Sequence, residues 1–289
     1  MSVDRTSADA RQKEPALVVE NPLTLQVLPC RALWLLFLIC LGIEVSLVVL
    51  DGVINYGEWV KIPALQEWLN TASERALPAW VAVTQTWMVA LTLGLVAAAM
   101  FLRGGSKWSI LGWVFLTLFF AFMSMDDGTA FHERLGSGVE NRLSSPADPV
   151  AGAASPILGW FPSYGWQLAL GPFFLGSGLF MVVFLWKQFR NPNRFGLVMA
   201  GLALMAAAVG LDFIEGLDRT HPWNIHVTLE QAWGLDSHTV RHFSKSFEEF
   251  LEMFGTTLLW VGFLGHFMSR FPALHLDFRA EHRSPVFKT

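Results

Sequence analysis

The chain is short of charge. Asp, Glu, Lys and Arg make up 15% of its 289 residues, against about 25% in an ordinary soluble domain. It holds only two Cys and two Tyr. Cys30 and Cys40 would lie roughly 15 Å apart on one helix, too far for a disulfide, which excludes a disulfide-stapled scaffold. No dinucleotide loop, P-loop, CxxCH haem motif or nucleophile elbow occurs. Charge is most scarce in runs such as VAVTQTWMVALTLGLVAAAMFL and FGLVMAGLALMAAAVGL. A soluble amphipathic helix needs polar residues at helical spacing, and these runs lack them.

What is present is apolar length. Hydrophobic residues make up 53% of the chain, with 24 Phe and 13 Trp. Six runs approach the ~20 residues that cross a bilayer: 32–51, 79–102, 108–125, 163–186, 195–213 and 249–268. The expected fold is an all-α polytopic membrane bundle of about six transmembrane helices, with the lipid bilayer as its first partner. A net charge of −4 gives no reason to expect nucleic acid. Oligomeric state is not legible.

The distribution of charge is uneven. Placing both termini in the cytoplasm puts 13 of 20 Lys and Arg inside, concentrated in short connections such as Arg103, Lys107, Lys187, Arg190 and Arg194. That arrangement leaves 18 of 24 acids at the outer side. The expected location is a bacterial inner membrane. The first span would act as an uncleaved signal anchor after a polar tail. The domains read as a flexible cytoplasmic tail over 1–28, a membrane domain over 29–270 and a basic tail over 271–289. Outer loops would cover 52–78, 137–162 and 216–236. IPALQEWLN in the first suggests a short interfacial helix, and the Gly/Ser/Pro-rich second reads as irregular. Trp160, Trp166, Trp223 and Trp233 fit an aromatic belt, and His266 reads as an interfacial histidine. Gly171, Gly176 and Gly178 suggest close helix packing.

Why, then, does the third apolar run end in SMDDGTAFHERLG? Acids also end the fifth run (Asp212, Glu215) and begin the sixth (Glu248, Glu249, Glu252), and Glu44 lies inside the first. Ionisable groups at membrane depth are costly and usually face the bundle interior. Asp212 and Glu215 are i,i+3, as are Glu249 and Glu252, so each pair shares a face about 4.5 Å apart along the axis. Asp126 and Glu133 would share a face roughly 10.5 Å apart, flanked by Asp127 and His132. From Ser237, read as an N-cap, His238, His242, Lys245, Glu249 and Glu252 run along one face. His238 and His242 are spaced to share a metal, while Lys245 is placed to pair with Glu248 or Glu249.

The oxygen and imidazole donors suit Fe, Mn or Zn. Expected ligands are Asp126, His132, Glu133, Asp212, Glu215, His242, Glu249 and Glu252. Glu44, Asp127, His238, Lys245 and Glu248 stand behind them or form a relay. Such a divalent or redox metal could support oxidation or hydrolysis of a hydrophobic small molecule. Two other readings use the same residues: a proton- or cation-coupled transporter component, or an accessory subunit docking a basic periplasmic partner.

The order M-D-D-x4-H-E, D-x-x-E, E-E-x-x-E-M across spans three to six resembles uncharacterised bacterial multi-pass membrane proteins. That resemblance implies a fold relationship and no activity. His238-x3-His242 with His132 and Asp126 also invites comparison with seven-span zinc-dependent lipid amidases of the alkaline ceramidase type. Six spans and the spacing from Ser124 to His132 depart from that pattern.

Overall fold

Proline and short polar residues set where the helices start. In the computed structural model, which describes residues 23–26, 30–57, 59–144, 161–189, 191–271 and 273–276, Pro63, Pro78 and Pro192 lie in the first turns of three helices. There the missing N–H costs nothing. The Asn191 side chain accepts from the N–H groups of Asn193 and Arg194, and that of Asn224 accepts from His226 N–H. The longest helix is capped one residue earlier than expected: the Asp236 carboxylate accepts from Thr239 N–H at 3.0 Å and Ser237 is already helical.

The helices are α1 (Cys30–Asp51), α2 (Pro63–Leu69), α3 (Leu77–Leu102), α4 (Lys107–Thr129), α5 (Phe131–Ser144), α6 (Gly165–Gln188), α7 (Pro192–Glu215), α8 (Ile225–Trp233) and α9 (Ser237–Arg270). A π-helical turn, Gly52–Tyr56, extends α1. Six are long and apolar enough to cross a membrane: α1 with its extension, α3, α4, α6, α7 and α9. The fold is thus an α-helical polytopic membrane bundle. The short helix in IPALQEWLN is present as α2. The expected irregular loop 137–162 begins instead as helix, because α5 runs to Ser144; residues 145–160 lie outside the described residues.

Helix α9 is the hub, packing against α7, α3 and α1, while α3 also packs on α4 and α5 on α6. Val89, Leu93, Trp113, Leu116, Phe120, Val198, Leu259 and Phe263 fill the interior. Trp34, Leu38, Leu95, Leu118, Leu179 and Trp186 face outward, as a lipid-facing surface requires. Thr84, Thr92 and Thr117 return their hydroxyls to the carbonyl four residues back, so few polar groups remain unpaired on apolar helices.

Close packing falls elsewhere than expected. A Cβ at Gly171, Gly176 or Gly178 would meet nothing within 4 Å. Among the near approaches are Gly201 and Gly255, where the backbones of α7 and α9 meet, and Gly262, which packs on the Val198 side chain. His266, near the end of α9, turns into the bundle. It is buried and stacks on Phe189 at 4.3 Å and Trp113 at 5.4 Å.

The chain divides into two units, residues 28–270 holding the helices and residues 1–27 with 271–289 forming the other. In the second, β1 (Leu23–Gln26) pairs antiparallel with β2 (Ala273–Leu276), Leu23 opposite Leu276. Neither strand was expected from the sequence.

Candidate functional site

The motif DDGTAFHE does not continue one helix. Helix α4 stops at Thr129, and Ala130 takes the left-handed conformation (φ 50°) before α5 begins at Phe131. Asp126 and Glu133 therefore do not share a helix face. The break folds His132 back instead. Its backbone N–H donates to Asp126 Oδ1 at 2.8 Å and its Nδ1 lies 3.0 Å from Oδ2. Asp126 is buried, and the imidazole packs edge-on against Trp166. Trp166 is itself buried, which removes it from the aromatic belt; Trp223 and Trp233 are exposed as expected, and Trp160 lies outside the described residues.

A second carboxylate–histidine pair forms between α1 and α9. Asp51, 1% exposed, takes His242 Nε2 at 2.7 Å. The same carboxylate accepts from Asn55 (2.6 Å), Thr71 (2.7 Å) and Ser246 (3.1 Å), and the Tyr56 ring lies 4.7 Å from the imidazole. His242 thus turns its Nε2 to Asp51, while the exposed His238 lines the same cavity.

Between these pairs lies a cavity of about 620 Å³, lined by His132, Glu133, Tyr164, Asp212, Glu215, Arg241, His242 and Lys245 among others. Lys245 is the cation within the acids. Its Nζ lies 2.8 Å from Glu248 and 3.7 Å from Glu249. Asp212 accepts from Gln167 Nε2 at 2.7 Å, whereas Glu215 Oε2 is buried without a partner. Asp127, Glu249 and Glu252 follow, near enough to act on one another electrostatically. Further into the bundle, Glu44 accepts from Gln85 Nε2 (2.8 Å) and Thr257 Oγ1 (2.5 Å).

The candidate residues therefore gather at one end of the bundle, but in pairs. Among the described residues, no group of three or more His, Cys, Asp or Glu is placed to hold a metal ion. Asp51, an acid at the outer end of the first apolar run, belongs to the site, and so do Glu74, Tyr164, Arg241 and Ser246, which no sequence pattern singles out. Asp51 and Asn55 were legible as polar residues four apart at the end of an apolar run; the others become members only through tertiary contact.

Two groups beyond the spans make the site sensitive to pH. Desolvation, followed by the charge of the adjoining Glu133 carboxyl, holds the Glu74 carboxyl above its usual range. Burial opposes charging of His132, but the bonded Asp126 carboxylate outweighs it and raises the imidazole above its usual value. Both groups hold their protons more tightly when folded, so stability falls as pH rises, from about 4.3 upward for Glu74 and from about 6.5 upward for His132. Because Glu74 is exposed, its share is under about 1 kcal/mol. Thermal unfolding in detergent is expected to show a loss of stability above neutral pH. Asp126→Asn should flatten that loss while lowering stability overall. Tyr164, pushed up to about 12 by burial and by Glu215 and Asp212, remains a neutral phenol throughout.

No curated protein and no solved structure matches this chain. One family model does, over residues 32–267, which takes in four of the long helices whole, nearly all of α1 and α9, and every paired residue of the site. The chain belongs to the family described as Domain of unknown function (DUF8692).

Proposed function

We propose that the protein admits cations from the periplasmic side of a bacterial inner membrane into an acidic chamber and leads them part-way across the bilayer. It would act as the outer half of a proton- or cation-coupled membrane process. The observation that carries this reading is the ladder of ionisable and hydroxyl groups along α9. It runs from His242 and Lys245 through Glu248, Glu249 and Glu252 to Thr257, with Asp51 and Glu44 of α1, Asp127 of α4 and Asp212 of α7 alongside. Acids outnumber bases there, and uncompensated charge is expensive in a membrane, so exchangeable cations are needed for balance. The orientation rests on the bias of Lys and Arg toward the opposite connections. A docking role for a basic partner is disfavoured, because Glu44, Asp51, Asp126 and Glu248 are buried.

One observation favours a second reading. Each of the two histidines is oriented by a carboxylate, as metal-bound histidines commonly are. Fe, Mn or Zn held by His132 and His242 would turn the chamber toward oxidation or hydrolysis of a hydrophobic substrate.

The test is a rapid acidification of the outer bath over proteoliposomes on a solid-supported membrane. The expected result is a transient inward charge displacement, since protons bind within the membrane field, and its loss in Glu252→Gln. No transient in the unsubstituted protein would overturn the proposal. Stoichiometric metal in the same preparation, lost with His132→Gln or His242→Gln, would replace it with the second reading.

A further inference from the structure

The end of the ladder at Glu44 is only half satisfied. Glu44 is fully buried, Gln85 is 6% exposed and Thr257 is fully buried, on three different helices, α1, α3 and α9. Their mutual contacts close a small triangle: 2.5 Å from Thr257 to Glu44, 2.8 Å from Gln85 to Glu44 and 3.1 Å from Gln85 to Thr257. All three bonds use Glu44 Oε1, Thr257 Oγ1 and the Gln85 amide nitrogen. Glu44 Oε2 and Gln85 Oε1 are buried with no partner at all. Both are acceptors, so neither can satisfy the other unless a proton or a cation lies between them.

The charge points the same way. Among the described residues no Lys, Arg or His forms an ion pair with Glu44. A lone carboxylate at membrane depth carries a penalty of several kcal/mol unless it is neutralised. One carboxylate with an amide oxygen and a hydroxyl offers three hard oxygen donors and one negative charge, with the buried Cys40 thiol beside them. That set suits a monovalent cation; Ca2+ and Mg2+ seek more carboxylates or retained water. The tightness of the triangle favours a small ion.

We propose that Glu44, Gln85 and Thr257 form a binding site for a single sodium ion, where cations entering through the acidic chamber come to rest. This identification of the cation builds on the chamber reading. The ion bridges Glu44 Oε2 and Gln85 Oε1, closing the two vacant acceptor positions and tying α1 and α3 to α9.

Thermal unfolding of the full chain in detergent tests this, in NaCl, KCl and choline chloride at equal ionic strength. The expected result is an upward, saturating shift of Tm with sodium over choline, weaker with potassium. Glu44→Gln, which keeps the size and hydrogen bonds of the neutral acid and so should fold, is expected to lose the shift. Thr257→Val should weaken the apparent sodium affinity at least tenfold. Equal Tm in all three salts, or a Glu44→Gln response equal to the unsubstituted one, would overturn the sodium site. So would stabilisation by acid that replaces the sodium shift in the unsubstituted protein and is lost in Glu44→Gln, which would mean that Glu44 holds a proton. The two proposals fail separately. A sodium shift kept in a protein showing no charge displacement removes the chamber reading, and a displacement without a sodium shift removes only this one.

Discussion

Replacing Asp51 by Ala is expected to destabilise the bundle by about 3–5 kcal/mol, the cost of breaking a buried pair while leaving its partners in place. The carboxylate is 1% exposed and serves four side chains: Asn55, Thr71, His242 and Ser246. Without it Thr71 and Ser246 retain only their bond to each other. His242 loses the group that sets its ring orientation beside the cavity. Asp51→Asn keeps the volume and one acceptor oxygen, so its cost should be smaller. A steric-trap or denaturant unfolding series in bicelles would separate the two substitutions. Equal and slight losses for both would mean that the network contributes little to stability.

The second large effect is steric. A Cβ at Gly201 would stand 2.7 Å from the Gly255 carbonyl oxygen and 2.8 Å from Leu259 Cγ. Backbone cannot move aside as a flexible side chain can, so Gly201→Leu must separate α7 from α9. Overpacking of this kind costs about 1–3 kcal/mol in well-packed interiors, and a separated helix pair should lie at the upper end or beyond. In membranes the loss is sharper still, because close contact between helices, not water exclusion, holds them together. Gly178→Leu is the control: nothing lies within 4 Å of its added Cβ. Its Tm should be unchanged or slightly raised, since Leu is the better helix former. Comparable losses at both positions would contradict the packing described.

These outcomes also bear on the site. Asp212 and Glu215 end α7, and the ladder from His242 to Thr257 lies on α9. The glycine crossing sets the distance between them. A substitution at Gly201 should therefore disturb the chamber without touching a charged residue.

Much of this molecule is legible in its order of residues. Hydrophobic length alone places six spans, because lipid offers the backbone no other partner and forces each crossing into a helix. The acids and histidines at one end follow from the same sequence, since alternating spans bring every second connection to one side. The pairing of Lys245 with Glu248 and Glu249 is local and follows from i,i+3 and i,i+4 spacing.

Partners distant in sequence were decided only by the fold. The helix break falls at Ala130, two residues after Gly128 and at a residue type that rarely takes the left-handed conformation, yet it turns His132 back onto Asp126 and takes Glu133 off the expected face. Asp51 meets His242 across 191 residues, and Glu44 meets Thr257 across 213. Which glycines make a close crossing depended on which faces met, and so Gly201 and Gly255 do what Gly171, Gly176 and Gly178 do not. Periodicity tells which residues share a face of one helix. Only packing tells which faces meet, and a buried carboxylate takes its chemistry from what it meets.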